Sequence, residues 1–283
     1  MTQSDIHVEV KRVRKAFNPG GAILDDISFT LGRGEMVALI GASGSGKSTL
    51  IRSIAGLIPI ARDGGEIVLF GRPMQRDGRV CADAKSLRAR VGVVFQQFNL
   101  VPRLSVLTNV CLGRMGRLPF VQGTCGRFSM GDKRAAMQAL ARVGIAEHAL
   151  KRGSDLSGGQ QQRAAIARTL VQGAELLIAD EPIASLDPSS ARRVMDLLSD
   201  MNRRDGTTIL VSLHQVDYAF KYCPRTIALK AGRVVYDGPT SALTPALLTS
   251  IYGAESEDLF APSLEPSVAA WRGREVAVAA SAA

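Results

Sequence analysis

The sequence predicts an α/β fold built around a phosphate-binding loop, with an antiparallel β segment before the loop and a helical insertion after it. The run Gly41-Ala-Ser-Gly-Ser-Gly-Lys-Ser-Thr49 fits the pattern G-x-x-x-x-G-K-[ST]. Residues 36–40 before it are continuously apolar, which indicates a buried strand, and residues 50–57 after it have helical spacing. From about residue 97 to 153, helical spacing replaces strand alternation, and this change predicts the insertion.

The loop has the chemistry of a polyphosphate site. Its glycines let the backbone curl so that successive N–H groups point into one concavity, where the following helix adds partial positive charge. Lys47 is expected to reach the β- and γ-phosphates of a nucleotide and Ser48 to hold Mg²⁺, with the Thr49 hydroxyl nearby. The predicted nucleotide-binding residues of the loop are Gly41, Ala42, Ser43, Gly44, Ser45, Gly46, Lys47, Ser48 and Thr49.

Composition is that of an ordinary globular protein, with 46% apolar and 22% charged residues among 283. No apolar run reaches the length of about 18 residues that a membrane-spanning helix needs, and the first residues lack the apolar core of a signal peptide. We therefore expect a cytoplasmic protein. The four cysteines form no C-x-x-C pair, which argues against a structural zinc site and a disulfide framework.

The chain is basic, with a net charge of +9 and a pI near 9.8. Such a surface favours anionic partners, either nucleic acid or an anionic membrane leaflet, although a solvated face without any partner is an equal alternative. The excess is concentrated between residues 97 and 152, where only Asp132 and Glu147 are acidic. The basic residues there are Arg103, Arg114, Arg117, Arg127, Lys133, Arg134, Arg142, Lys151 and Arg152.

Periodicity predicts the other elements in order. Alternating residues predict strands at 6–10 and 27–31, and β-rich or apolar runs predict further strands at 66–70, 91–95, 176–179 and 208–211. A helix is expected over 189–202, started by Asp187-Pro188, and a closing hairpin joins 227–229 to 233–236. After Gly253 the pattern fades, so residues 251–283 are expected to form a flexible tail.

Two carboxylates end an apolar strand in Leu176-Leu-Ile-Ala-Asp-Glu181. Asp180 is expected to belong to the Mg²⁺ shell, and Glu181 to polarise the attacking water as general base. The alternative, two solubilising charges, is weakened by the phosphate loop upstream.

The segment Leu156-Ser-Gly-Gly-Gln160 opens another helix, predicted at 161–171, and its glycines and serine suggest a second anion-binding helix terminus. A second phosphate site is redundant within one subunit. It makes sense if the nucleotide of a partner subunit is sandwiched there.

With this segment the sequence resembles the ABC-type ATPases, whose signature motif is LSGGQ. The resemblance spans about residues 6–244 and rests on five ordered motifs: the phosphate loop, LSGGQ, LLIADE, Ser185-Leu-Asp187, and His214 after a strand. It implies a P-loop NTPase (RecA-like) core, an antiparallel β subdomain, and a helical insertion at about 97–164 that carries the signature. The ABC domain is then expected to span residues 1–250.

The resemblance also implies roles for individual residues. Gln96 would sense Mg²⁺, the attacking water and the transporter subunit; His214 would contact the γ-phosphate; Asp187 would communicate between two subunits. Phe17 would stack on adenine, where the family more often has tyrosine, and a core position is its alternative role. The implied catalytic residues are Glu181, His214, Gln96 and Lys47, the metal ligands are Ser48, Gln96 and Asp180, and Ser157, Gly158, Gly159, Gln160 and Asp187 complete the nucleotide site.

Within the family, residues 95–109, 180–188 and 211–218 most resemble phosphonate-import ATPases. This implies an ATP-hydrolysing importer subunit with Mg²⁺ as cofactor, which pairs with a second copy at the cytoplasmic face of the inner membrane. Separate permease subunits and a periplasmic or extracellular solute-binding protein would complete the system, and no nucleic-acid partner is expected.

Two alternatives stay open. One is an importer ATPase for a phosphate ester, phosphite or an amino acid. The other is a soluble nucleic-acid- or ribosome-associated ABC protein, a class that usually has two cassettes or a long coiled-coil insertion, whereas this chain has one cassette and no heptad run.

Overall fold

Two β-sheets organise the chain in the computed structural model, which describes residues 5–18, 21–63, 65–97, 99–117 and 128–253. The strands are β1 (Ile6–Asn18), β2 (Gly21–Gly32), β3 (Met36–Ile40), β4 (Glu66–Leu69), β5 (Arg72–Arg76), β6 (Arg79–Val80), β7 (Val91–Val94), β8 (Leu176–Ala179), β9 (Thr208–Ser212), β10 (Arg225–Lys230) and β11 (Arg233–Pro239). The helices are α1 (Lys47–Ile54), α2 (Ala84–Arg88), α3 (Val106–Cys111), α4 (Met130–Arg142), α5 (Gly158–Gln172), α6 (Pro188–Asp205), α7 (Val216–Tyr222) and α8 (Pro245–Tyr252).

The larger sheet has six strands in the order β11-β10-β3-β9-β8-β7. Its five strands from β10 to β7 are parallel, and β11 pairs antiparallel at the edge. Every residue of β3, β8 and β9 is buried, as expected for strands covered on both faces. Because the parallel strands end at one edge, the residues that follow β3, β7, β8 and β9 meet there.

The smaller sheet is antiparallel, in the order β2-β1-β4-β5-β6. The alternation at residues 6–10 and 27–31 predicted its first strands, but β1 is longer than expected, and β5 and β6 were not predicted. An apolar core fills the space between this sheet and the larger one, and it includes Leu50, Ile51 and Ile54 of α1. The helix after the phosphate loop is therefore held between both sheets.

The helical insertion contains α3, a 3₁₀ helix at Leu112–Arg117, and α4, all packed against α5. A second apolar core joins these helices to the other face of the larger sheet. Part of the positive charge expected here is paired within the chain: Arg114 lies 3.1 Å from Asp132, and Arg142 contacts Asp200 and Asp205 at 2.9 and 2.7 Å.

Two expectations concern other parts of the chain. Most of the tail predicted at 251–283 lies outside the described residues, which end at Gly253. Among the residues that the structure describes, no helix is both long and apolar enough to cross a bilayer.

Candidate nucleotide-binding site

The phosphate loop, Gly41–Thr49, turns sharply between β3 and α1. Gly41 has φ 146°, and a Cβ atom at this position would lie 2.2 Å from the carbonyl oxygen of Leu229. Gly46, the residue before α1, has φ 104°, and its Cβ would lie 2.7 Å from the Ile23 carbonyl oxygen. Only glycine fits either position, because the backbone is left-handed and the neighbouring chain is in contact.

Lys47 is the first residue of α1 and folds back over the loop. Its Nζ atom donates to the carbonyl oxygens of Gly41 at 2.6 Å and Ala42 at 3.2 Å, and the residue is buried. The ammonium group therefore lies beside the loop backbone at the N-terminus of α1, where the helix dipole also favours an anion. This arrangement suits a phosphate chain.

Ser48 and Asp180 bring oxygen ligands together across the site. The Ser48 hydroxyl donates to Asp180 Oδ1 at 3.1 Å, and the backbone N–H of Asp180 donates to the carbonyl of Val94 at 2.8 Å. One carboxylate and one hydroxyl beside a phosphate loop are the donor set with which proteins bind Mg²⁺, whose other ligands are phosphate oxygens and water. The described residues contain no group of three or more His, Cys, Asp or Glu side chains that could hold a metal alone. The residues present thus fit a Mg²⁺ ion that arrives with a nucleotide.

Glu181 follows in a left-handed backbone conformation, with φ 50°. Its N–H donates to the Ser212 hydroxyl at 2.8 Å, and its Oε1 lies 2.6 Å from His214 Nε2. The carboxylate is held by an imidazole at the carboxyl edge of the sheet, next to the residue that would bind the metal. Such a carboxylate can accept a proton from water.

Gln96 lies at the same edge. It is exposed and follows the end of β7, at Val94, by two residues. Among the described residues, the side-chain hydrogen bonds of Ser48, Asp180, Glu181 and His214 given above are made with partners other than Gln96.

Phe17 lies on β1 in the smaller sheet and is 57% exposed, which removes the alternative that it is a core residue. Lys15 Nζ lies 5.1 Å from the ring centroid, a distance typical of a cation–π contact. The exposed ring can therefore stack on a base.

The signature segment, Leu156–Gln160, leads into α5, which begins at Gly158, three residues earlier than the predicted helix. Ser157 and Gln160 form a capping box, with Ser157 Oγ accepting from the Gln160 N–H at 3.4 Å and Gln160 Oε1 accepting from the Ser157 N–H at 2.9 Å. Gly158 is the first residue of α5, and Gly159 packs against α6: a Cβ there would lie 2.7 Å from Ser190 Oγ.

Asp187 caps α6 and accepts hydrogen bonds from the N–H groups of Ser189 and Ser190, each at 3.0 Å. The hydrogen bonds from the two serines, that of the Ser190 side chain first, hold the pKa of this carboxyl well below its usual range. Because Gly159 packs against Ser190 of α6, the signature segment lies next to the helix that Asp187 caps.

Two residues of the site were missed by sequence reasoning. Ser212 ends β9 and is fully buried, and a polar residue at the end of an apolar strand was the signal available for it. Tyr252 of α8 places its hydroxyl 3.4 Å from the N–H of Gly41, and no feature of the sequence near residue 252 indicated this contact.

The arrangement agrees with what comparison with known proteins finds. A family model described as ABC transporter matches residues 24–184, more than half of the chain. The phosphonates import ATP-binding protein PhnC of Paraburkholderia xenovorans is 55% identical over 252 residues, which cover 89% of this chain and 84% of that protein. Its counterpart in Stutzerimonas stutzeri is 57% identical over 249 residues, covering 88% and 90%.

Solved structures are similar over the same region. A dimeric bacterial ABC transporter cassette superposes with a TM-score of 0.73 at 30% identity, covering 83% of this chain and all of that one. The same cassette in a dimeric post-hydrolysis state, bound to ADP and Pi, gives a TM-score of 0.71 at 31% identity over the same shares. The two-sheet fold with a helical insertion is therefore that of an ABC cassette, and the chain belongs to the ABC transporter family.

Proposed function

We propose that this chain is the ATP-hydrolysing subunit of an importer for phosphonates. The observation that carries the proposal is the connected group at the carboxyl edge of the larger sheet, in which Ser48 contacts Asp180 and Glu181 contacts His214 beside the phosphate loop. The solute is inferred from two relatives, 55% and 57% identical to this chain, that are named phosphonates import ATP-binding proteins.

In the proposed reaction, Lys47 and the N–H groups of the loop bind the phosphates of ATP. Mg²⁺, held by Ser48, Asp180 and Gln96, would neutralise charge on the β- and γ-phosphates. Glu181 accepts a proton from the attacking water, and His214, 2.6 Å from the same carboxylate, orients it and contacts the γ-phosphate. Because the reaction needs little covalent chemistry from the protein, positioning and charge account for most of the catalysis.

The remaining predicted residues suit a nucleotide bound between two copies. Phe17 offers an exposed ring to adenine, and the signature segment offers the N-terminus of α5, a 15-residue helix, to the phosphates of the partner's nucleotide. Asp187 would link the two sites, since α6 contacts Gly159. The dimeric state of the bacterial cassette supports this assembly.

A separate membrane permease is the second partner. A cavity of about 450 Å³ between α2, the 3₁₀ helix and α5 is lined by Lys85, Arg88 and Arg168, and none of the described residues that line it is acidic. Arg168 Nη1 donates to the carbonyl of Asn99 at 2.7 Å, three residues after Gln96. An acidic segment of the permease fits this cavity and would reach the Gln96 region through Arg168. The chain would then work at the cytoplasmic face of the inner membrane, with a solute-binding protein outside.

The test is growth of a deletion strain on an alkylphosphonate as sole phosphorus source, with phosphate as the control. We expect loss of growth on the phosphonate alone, restored by the wild-type gene and not by a Lys47→Ala copy. Normal growth on both sources, in a strain without a redundant system, would contradict phosphonate import while leaving the ATPase assignment in place.

A further inference from the structure

Ser212 lies where the metal-binding and base residues of the proposed site meet. It is the last residue of β9, the strand that pairs on one side with β3, which leads into the phosphate loop, and on the other with β8, which leads into Asp180. The side chain is fully buried. A buried hydroxyl at this junction requires hydrogen-bond partners, because an unpaired one costs free energy.

Its two partners are adjacent acidic residues. Glu181 N–H donates to Ser212 Oγ at 2.8 Å, and since an N–H can only donate, the serine oxygen must accept. The serine proton is then free to be donated to Asp180 Oδ1, which lies 3.1 Å away. The same Oδ1 accepts from Ser48 at 3.1 Å, so one carboxylate oxygen lies between a hydroxyl from α1 and a hydroxyl from β9.

The contact with Glu181 also bears on backbone strain. A left-handed conformation, here φ 50°, is unfavourable for a residue with a side chain unless its surroundings hold it. The hydrogen bond from this residue's own N–H to Ser212 is such a constraint. Without it, the peptide can relax toward ordinary φ values, which would move the carboxylate away from His214, now 2.6 Å from it.

We propose that Ser212 is a positioning residue for ATP hydrolysis: its hydroxyl sets the orientation of the Asp180 carboxylate and the backbone of Glu181 together. The inference rests on the proposed ATPase function. In this role Ser212 acts through the two acids, with which its hydroxyl makes hydrogen bonds. Loss of its hydroxyl should therefore lower kcat and raise the Mg²⁺ concentration that hydrolysis requires. The affinity for the nucleotide itself should change less.

The experiment compares the full-length wild type with Ser212→Ala, Ser212→Cys and Ser212→Thr. The first removes the hydroxyl, the second keeps the size of the side chain with a poor hydrogen-bonding group, and the third keeps the hydroxyl. Thr208→Val is the matched control, because Thr208 begins the same strand, is equally buried, and holds the N–H of Gly34 at 2.8 Å with its hydroxyl at the opposite end of β9.

We expect kcat for ATP to fall about tenfold or more in Ser212→Ala and Ser212→Cys, with KM for ATP changed less than about twofold. The Mg²⁺ concentration for half-maximal activity should rise. A second measurement does not depend on turnover. ATP with Mg²⁺ should raise the melting temperature of the wild type more than ATP with EDTA does, and this difference should be smaller in Ser212→Ala and Ser212→Cys. Ser212→Thr should retain most of the activity, and Thr208→Val should lower only the melting temperature.

Each result decides the proposal. If Ser212→Ala hydrolyses ATP at the wild-type rate with an unchanged Mg²⁺ requirement, Ser212 has no positioning role. If the alanine variant does not fold, the same result in Ser212→Cys leads to the same conclusion. Equal kinetic losses in Thr208→Val would show that a buried hydroxyl of β9 matters only for the fold. A wild-type protein without Mg²⁺-dependent ATP hydrolysis would overturn the proposed function itself, and this inference with it.

Discussion

Glu181 combines an unusual backbone conformation with a short contact to an imidazole. Its φ of 50° turns the chain out of β8, and its carboxylate meets His214 at 2.6 Å. Non-glycine residues in the left-handed region are often found at functional sites, where the surrounding structure holds the strain. At this scale, function depends on the placement of a few atoms, and conservative substitutions are informative.

We expect Glu181→Gln to leave ATP binding intact, because the amide keeps the shape of the carboxylate. Turnover should fall by a factor of about 10² or more, since the amide cannot accept the proton of the attacking water. An ATP-dependent dimer should then accumulate, which size-exclusion chromatography with and without ATP would detect. Hydrolysis near the wild-type rate would show that Glu181 is not the base.

Among the elements, α4 depends on its first turn. Ser129 and Asp132 form a capping box, in which Asp132 accepts from the Ser129 hydroxyl at 2.7 Å and the Ser129 N–H at 3.1 Å, and also contacts Arg114. These contacts, the Ser129 hydroxyl first, lower the pKa of Asp132 below its usual value. The carboxylate stabilises the native state when it is ionised.

The stabilising effect of Asp132 depends on pH. Because the pKa of Asp132 is lower in the folded than in the unfolded chain, its stabilising contribution is complete above about pH 4 to 5 and is lost as pH falls through the folded value. Asp132→Asn should therefore lower the melting temperature at pH 7, and the difference from wild type should shrink toward pH 3. Circular dichroism melts across this range would measure it; a difference that is constant with pH would contradict the role of the ionised carboxylate.

The last described helix, α8, is linked to the phosphate loop. Thr244 caps it, Pro245 begins it, and Tyr252 at its end reaches the N–H of Gly41. Leu248 and Ile251 are buried in the core on the same side. A helix outside the five motifs therefore supports the loop that would bind ATP.

We expect Tyr252→Phe to raise KM for ATP about two- to fivefold while leaving kcat nearly unchanged. The change keeps the buried ring and removes the hydroxyl that accepts from the N–H of Gly41, and loss of that long hydrogen bond costs the loop about 0.5–1 kcal/mol. Tyr236→Phe is the control, because the Tyr236 hydroxyl donates to the Pro239 carbonyl at 2.6 Å, in the strand β11 and away from the phosphate loop. An unaltered KM in Tyr252→Phe, measured in a steady-state ATPase assay, would show that the contact does not support the loop.

At the scale of the whole molecule, two apolar cores on opposite faces of the larger sheet hold the parts of the site. One core fixes α1 between the sheets, and the other fixes the helical insertion and α5. The phosphate loop and the signature segment are thus carried by different parts of one framework. This is the arrangement that a nucleotide shared between two copies requires.

Deletion of residues 255–283 is expected to leave ATPase activity largely unchanged. The contact to the phosphate loop comes from Tyr252, which the truncated chain retains, and the aligned region of the relatives covers about 88–91% of this chain. ATP hydrolysis by the full-length and truncated proteins would be compared at equal concentration. A large loss would show that the tail packs on the core or regulates it.

Motif order and periodicity by themselves predict much of the architecture of this protein. Strand-like runs at 36–40, 91–95, 176–179 and 208–211 predicted four strands, and the motifs assigned Lys47, Asp180 and Glu181 to one nucleotide site. The strand predictions are confirmed, because buried parallel strands are continuously apolar. The site assignment was possible because phosphate chemistry requires a few residue types at fixed spacing. The short strands β5 and β6 escaped prediction because neither shows an apolar pattern: Met74 is the one buried apolar residue of Arg72–Arg76, and both residues of Arg79–Val80 are exposed. They are held by the pairing of β5 with β4 and with β6.

Tertiary structure alone decided which distant residues complete the site. Ser212 joins Asp180 to Glu181 across 31–32 positions of sequence, and Tyr252 reaches Gly41 across 211. It also resolved the position of Phe17, which local pattern left open between core and surface. The physical reason is that strand order and the packing of α8 are set by the burial of apolar surface over the whole chain. No local pattern records which strand ends will meet.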